Sequence, residues 1–195
     1  MSLRAGVLKM STAVKITCDE FEAMIARGDF AVDDPRRYEL IDGEIIEMPP
    51  PDPRHEEAID RLNKWSGRNL PIDEVRVRVQ GTISLPELDS VPFPDVSWLR
   101  EADYSTRRPN ATDVHLLIEV SNTTLSYDRN TKARLYAAAG IADYWIVNIK
   151  GECFEILREP GVRGYGSKTV LYSGEEVRSL AFPELAFPIS LIFPE

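Results

Sequence analysis

Three residues in the middle of the chain have side chains that together could bind a divalent metal ion and act on a phosphate ester. Asp95 directly follows Pro94, Glu119 lies in an apolar run at residues 117–120, and Lys132 lies in the segment that follows. When water attacks a phosphodiester, the transition state gains negative charge. Mg²⁺ or Mn²⁺ held by carboxylate oxygens stabilises that charge and activates the water, while a lysine ammonium polarises the phosphate or orients the water. These residue types therefore suggest a metal-dependent site that cleaves phosphodiesters.

The sequence pattern places Glu119 and Lys132 on inward faces of their elements. Strand alternation puts Glu119 on one face together with His115, Leu117 and Ser121. At helical spacing, Lys132 shares a stripe with Leu135, Tyr136 and Ala139. A lysine on that stripe can reach over the edge of the sheet toward Glu119.

Each of the three residues also has a structural interpretation. A carboxylate buried among apolar residues needs a cation or hydrogen-bond donors, and a salt bridge to an arginine would satisfy Glu119 without any chemistry. Lys132 could extend outward from its stripe or pair with Asp128 at i, i+4. Asp95 could be an ordinary turn residue. The sequence leaves these alternatives open.

His55 is a fourth candidate. It begins an apolar helical stripe that continues through Ala58, Ile59, Leu62 and Trp65. A lone histidine on such a stripe is commonly a core residue whose hydrogen bonds are satisfied. It could also be a third metal ligand or a proton-transfer group.

Local signals predict the first elements that must position these side chains. A capping box between Thr17 and Glu20 predicts a helix that ends at Gly28. Asp-Gly at residues 42–43, between two apolar segments, predicts a hairpin. Asp52 followed by Pro53 is typical of a helix N-terminus.

Strands and a further helix follow along the chain. Apolar alternation or continuous apolar runs predict strands at 75–79, 95–99, 113–121 and 144–149, a helix at about 128–139, and a last hairpin into 153–158. The order strand, helix, strand between residues 113 and 149 predicts a crossover with a parallel strand pair. The whole pattern predicts an α/β fold with a mixed sheet that is built largely from hairpins.

Composition limits the class of protein. The chain has 195 residues and a net charge of −9, which argues against broad nonspecific nucleic-acid binding. Basic residues nevertheless recur near the candidate site, where a solvated surface is the simpler interpretation; they are Arg76, Arg78, Arg107, Arg108, Arg129 and Arg134. No apolar run is long enough for a membrane helix, and Cys18 and Cys153 fit reduced thiols in a cytoplasmic protein. We expect a loose tail at residues 1–12 and one domain at residues 13–195.

The chain resembles the Uma family of restriction endonucleases, within the PD-(D/E)xK nuclease superfamily. The resemblance rests on the order and spacing of Tyr38–Glu44, Pro53–His55, Pro94–Val96, Ile118–Ser121, Asp128, Lys132 and Tyr144–Val147. It implies an α/β, restriction-endonuclease-like fold, which is a mixed central sheet flanked by helices with added hairpins. It also implies metal binding by Asp95 and Glu119. The lysine of the superfamily pattern, two residues after Glu119, is replaced here by Ser121, and the resemblance implies that Lys132 takes its place. His55 is then a third ligand or an acid–base group.

Three functions are compatible with these observations. The leading hypothesis is a Mg²⁺- or Mn²⁺-dependent DNA endonuclease that uses Asp95, Glu119, Lys132 and His55. Cleavage of both strands of duplex DNA usually needs two active sites, so we expect a homodimer, with the apolar segment Phe182–Phe193 as one candidate surface unless it packs on its own core. The alternatives are a noncatalytic binding or assembly module with a nuclease fold and a metal-dependent hydrolase of small phosphoesters.

Overall fold

The computed structural model of the protein describes residues 15–30 and 37–194. The predicted tail at residues 1–12 and the domain boundary at residue 13 lie outside these ranges. The helices are α1 (Cys18–Arg27), α2 (Pro53–Asn69), α3 (Leu125–Tyr127) and α4 (Ala133–Ala138). The strands are β1 (Arg37–Ile41), β2 (Glu44–Met48), β3 (Val75–Val79), β4 (Val96–Arg100), β5 (Val114–Ser121), β6 (Asp143–Asn148), β7 (Cys153–Gly161), β8 (Gly164–Tyr172), β9 (Glu176–Arg178) and β10 (Ala186–Pro188). None of these helices is long and apolar enough to cross a bilayer.

A six-stranded mixed sheet is the centre of the fold. Its strands lie in the order β3-β4-β5-β6-β7-β8. The β5–β6 pair is parallel and the other neighbouring pairs are antiparallel. The predicted parallel crossover and the predicted mixed α/β class are therefore confirmed. The β1–β2 and β9–β10 pairs form two smaller sheets beside the central one.

Apolar side chains cover both faces of the central sheet. On one face, α2 and the C-terminal segment pack against side chains of β4 to β7, and residues such as Leu62, Trp98 and Phe187 are almost completely buried. On the other face, α4 packs through Tyr136 against Tyr144 and its neighbours. Because β5 is covered on both faces, a carboxylate that points out of this strand cannot reach bulk water without an opening in the cover.

The C-terminal apolar segment belongs to the core. Phe187 and Ile189 are 1% and 0% exposed, and Phe182, Ile192 and Phe193 are also buried. The segment therefore packs on its own sheet, and its buried side chains are not free to form a dimer surface. The predicted homodimer would need a different surface.

One predicted side-chain orientation in β5 is wrong, because His115 does not lie on the same face as Leu117. Trp98 of β4 pairs with Leu116, but Leu99 pairs with Val114, so His115 is an extra residue in the ladder. Such a bulge breaks the alternation. The His115 ring contacts Phe182 on the α2 side of the sheet, whereas Leu117 lies on the α4 side.

Candidate active site

Asp95 lies at the end of the central sheet, just before β4. Val96 pairs with Ile118 across the β4–β5 ladder, which brings Asp95 beside the last residues of β5. Asp95 Oδ2 accepts a hydrogen bond from the Val120 backbone N–H at 2.8 Å and lies 3.2 Å from His55 Nε2. Both contacts use Oδ2, so within the described residues Oδ1 of Asp95 makes no hydrogen bond.

Glu119 points toward the helices on the α4 side and is 3% exposed. Its Oε1 lies 2.9 Å from Lys132 Nζ and accepts a hydrogen bond from Tyr136 Oη at 2.7 Å. The predicted approach of Lys132 to Glu119 therefore occurs in the structure. Both contacts again fall on one oxygen, and Oε2 has no hydrogen-bond partner in the part of the chain that the structure describes.

Glu39 of β1 is a third carboxylate at the site, and the sequence analysis did not identify it as a site residue. Its Oε1 lies 2.7 Å from Lys132 Nζ and accepts a hydrogen bond from the Phe93 backbone N–H at 2.8 Å. Its Oε2 is buried and has no hydrogen-bond partner among the residues that the structure describes. The only sequence signal was the resemblance of Tyr38–Glu44 to the family pattern, because the local pattern indicated no more than a hairpin.

A π-helical turn positions Lys132. The segment Asp128–Lys132 forms this turn between α3 and α4, and the Ala133 N–H bonds to the Asp128 carbonyl in the i to i+5 pattern. Asp128 Oδ2 accepts hydrogen bonds from Ser121 Oγ and Thr124 Oγ1, both at 2.6 Å. The helix thus begins earlier than predicted, at Leu125. Lys132 pairs with Glu39 and Glu119 rather than with Asp128, and π-turns often accompany functional sites.

The N-terminus of α2 positions His55. As predicted, Asp52 is the N-cap: its Oδ1 accepts from the backbone N–H groups of Arg54 and His55 at 3.0 and 3.3 Å. Its Oδ2 accepts from Asn122 Nδ2 at 2.6 Å. Asp52 therefore connects the helix that carries His55 to the chain just after β5.

One pocket contains all four predicted site residues. His55, Asp95, Glu119 and Lys132 line it together with other polar groups, which include Arg37, Asp52, Asn122, Thr124 and Asp128. The geometry therefore brings together the four residues that were predicted from the sequence as site candidates. Among the described residues, no group of three or more histidine, cysteine, aspartate or glutamate side chains has the arrangement of a metal site.

Comparison with known proteins identifies the family. The Uma2 family model, described as "Putative restriction endonuclease", matches residues 18–190. The chain belongs to the Uma2 family. The Uma2 match includes every element from α1 through β10, and it therefore contains the whole of the pocket.

A solved structure has the same fold as this Uma2 chain. It is the crystal structure of a putative nuclease belonging to DUF820 from Anabaena variabilis ATCC 29413. The alignment has a TM-score of 0.65 and 18% sequence identity, and it covers 91% of this chain and 97% of the other. At this identity the likeness concerns the fold, which is nuclease-like. No curated protein is detectably similar to the chain in sequence.

The buried charges of this Uma2 site are not balanced by the lysine alone. Burial raises the pKa of Glu119 well above its usual value, and the charge of Lys132 only partly opposes that effect. Burial lowers the pKa of Lys132, but the charges of Glu119 and Glu39 outweigh it, so the pKa of Lys132 is well above its usual value. One ammonium faces two buried carboxyl groups, so a proton or a bound cation would offset the second negative charge.

Each of the two predicted ligands keeps one carboxylate oxygen that is available to a divalent cation. Asp95 Oδ1 and Glu119 Oε2 make no hydrogen bond within residues 15–30 and 37–194, and both side chains line the same pocket. Mg²⁺ is usually held by one or two carboxylates, with water and substrate phosphate completing its shell. Two carboxylates are thus sufficient, and the absence of a three-ligand cluster in the described residues does not conflict with such a site.

Proposed function

We propose that this Uma2 protein is a Mg²⁺- or Mn²⁺-dependent endodeoxyribonuclease of the PD-(D/E)xK type. The observation that carries the proposal is the convergence of Asp95 and Glu119 in one pocket, each with an unengaged carboxylate oxygen, beside Lys132. Membership of the Uma2 family and the nuclease-like fold support a nuclease.

Asp95 and Glu119 would hold the metal ion. When bound, the ion would activate the attacking water and neutralise charge on the phosphate. Lys132 is charged, buried and fixed by two carboxylates, so it can orient the water or stabilise the phosphate without first being ordered. His55, whose Nε2 lies 3.2 Å from Asp95 Oδ2, assists as a further ligand or by moving a proton.

The substrate we infer is duplex DNA, cut by a homodimer that presents one site to each strand. The structure buries the C-terminal apolar segment, so the dimer would use another surface. Sedimentation of the protein with and without duplex DNA tests this assignment. The homodimer and the cytoplasmic location remain predictions.

Cleavage of plasmid DNA tests the proposed function. Wild type should nick or linearise the plasmid with Mg²⁺ or Mn²⁺ and not with a chelator. Glu119→Gln, which keeps the side-chain shape, should abolish cleavage, and Glu56→Gln, a change at an exposed carboxylate of α2, should have no effect. Equal cleavage by wild type and Glu119→Gln would refute the assignment.

Two other hypotheses predict different results in the same assays. A noncatalytic module with this fold would neither cleave DNA nor need an ion at Asp95 and Glu119. A hydrolase of small phosphoesters would release phosphate from nucleotides and leave the plasmid intact. The net charge of −9 is the observation that most favours the module, because nucleic-acid-binding proteins usually present a basic face.

A further inference from the structure

Arg78 of β3 is a cation near the active site that pairs with no carboxylate among residues 15–30 and 37–194. It lies on β3 opposite Ser97 of β4, two residues along that strand from Asp95. Alternate residues of a strand share a face, so Asp95, Ser97 and the side chain of Arg78 lie on the same side of the sheet. Gln80, two residues after Arg78, donates its backbone N–H to the Asp95 carbonyl at 2.8 Å.

Three guanidinium groups surround the ring of Tyr104. Those of Arg107, Arg78 and Arg76 lie 5.0, 5.4 and 5.8 Å from its centroid. Arg107 is paired with Asp113, and Arg76 with Glu101. Nearby, Arg108 is paired with Glu22. In the described ranges, Arg78 alone of these four arginines has no carboxylate partner.

Packing restrains the stem of Arg78, although the arginine makes no ion pair in the part of the chain that the structure describes. A Cβ atom added to Gly81 would lie 2.2 Å from Arg78 Cδ and 2.6 Å from Cγ. The aliphatic stem of Arg78 therefore lies directly against the Gly81 backbone, with its head near the Tyr104 ring. Burial and the neighbouring Arg76 charge lower the pKa of Arg78, and an anion bound at this guanidinium would oppose both effects.

Arg78 lies between two surface grooves, one of which shares a lining residue with the active-site pocket. It lines both grooves together with Arg108. The first groove is also lined by Phe93, and Phe93 lines the active-site pocket as well. The guanidinium of Arg37, another residue of that pocket, lies 5.7 Å from the centroid of the Phe93 ring.

We propose that Arg78 binds a backbone phosphate of the DNA strand that flanks the scissile phosphodiester. The strand leaves the active-site pocket past Phe93 and follows the groove toward Tyr104. A guanidinium matches the geometry of a phosphate and is weakly hydrated, and aromatic side chains in a cationic groove suit nucleic acid. This inference rests on the proposed function, since it assumes that the pocket acts on DNA.

Binding of a fluorescent DNA duplex, measured by anisotropy in the presence of a chelator, tests the proposal. Without metal there is no cleavage, so the measurement does not depend on catalysis. Arg78→Gln should weaken binding about tenfold and reduce the slope of log affinity against log salt by about 0.9 between about 50 and 200 mM salt. Arg163→Gln removes the same charge from an exposed position that lines neither groove, and it should change neither quantity.

A second variant separates the position of the guanidinium from its charge. Gly81→Ala keeps the net charge but displaces the Arg78 stem, so it should also weaken binding, while Arg163→Gln does not. Thermal unfolding of each variant shows that the fold is retained. Equal affinity and salt slope for Arg78→Gln and Arg163→Gln, or no binding of duplex by wild type, would overturn the proposal. If Arg78→Gln weakens binding as expected but wild type does not cleave, the nuclease assignment fails, and Arg78 is then a contact to a DNA phosphate with no scissile bond beside it.

Discussion

The Lys132 ammonium lies 2.7 Å from Glu39 Oε1, and both side chains are almost completely buried, at 1% and 0% exposure. The same ammonium is 2.9 Å from Glu119 Oε1. A hairpin near the N-terminus, a central strand and a π-turn thus meet at one cation. The stability of this region and the chemistry of the pocket consequently depend on the same contacts.

Replacement of Lys132 by Met should destabilise the fold as well as abolish cleavage. Removal of the cation leaves Glu39 and Glu119 buried without a counter-charge, and such a loss typically costs about 3–5 kcal/mol. Urea denaturation of wild type and Lys132→Met measures it. An unchanged unfolding midpoint would show that the buried lysine does not neutralise these carboxylates.

The second prediction is that Glu39→Gln rescues part of that loss. The double variant Glu39→Gln/Lys132→Met removes one of the two orphaned charges. The loss of unfolding free energy in the double variant should therefore be smaller than the sum of the losses in the two single variants. The difference, which is the coupling free energy, should be about 1–3 kcal/mol. Strict additivity would mean that Glu39 and Lys132 do not interact in solution.

Most elements of the fold could be predicted because their signals are local. The Thr17–Glu20 capping box and the Gly28 C-cap are both present in α1. The Asp42-Gly43 turn has positive φ at both residues, 50° and 77°, as tight hairpins require. Such features depend on a few neighbouring residues, so a short stretch of sequence is enough to predict them.

Other features depend on contacts between distant residues. Glu39 is buried because Lys132 reaches it from another element, and no pattern within β1 reveals this. The π-turn accompanies the hydrogen bonds that Ser121 and Thr124 donate to Asp128, whereas the sequence pattern predicted an ordinary helix. The long β7–β8 hairpin was also unclear in the sequence, since β8 is largely exposed and lacks a strong apolar pattern.

Asp52→Ala should destabilise the protein by about 1 kcal/mol, because it removes the N-cap of α2. Asp52→Asn keeps an oxygen for the Arg54 and His55 N–H groups but disrupts the bond from Asn122 Nδ2. Asp52→Asn should therefore retain most of the stability in thermal unfolding. If cleavage falls in both variants, the hydrogen bond from Asn122 is needed to position His55. Normal cleavage by Asp52→Asn would show that the N-cap alone is sufficient to position His55.

Glu155 should contribute a stability that depends on pH. It is 1% exposed, and Arg129 and Lys168 both pair with it. Burial raises the pKa of Glu155, but the hydrogen bonds from Arg129 and Lys168 outweigh burial, so the pKa is lowered in the folded protein. A carboxyl group whose pKa is lower in the folded than in the unfolded protein stabilises the fold at pH values above its unfolded pKa, which is about 4.3 for glutamate. That stabilisation is lost as the pH falls through the pKa of the folded state.

The comparison of wild type with Glu155→Gln measures this contribution. Both partners of Glu155 are partly exposed, so we expect the variant to be less stable by about 1–2 kcal/mol at pH 7. The difference should shrink as the pH is lowered below about 4.3. A difference that stays constant down to acid pH would show that Glu155 stabilises the sheet by packing and not by charge.

Calorimetric titration of Mn²⁺ into wild type, Asp95→Asn and Glu119→Gln tests the central claim most directly, because it measures the metal site independently of any DNA target. We expect that wild type binds Mn²⁺ and that either substitution abolishes or strongly weakens binding, while Glu56→Gln does not. Equal binding by all four proteins would place the ion elsewhere. Absence of binding by wild type, both alone and in the presence of duplex DNA, would contradict a metal-dependent nuclease.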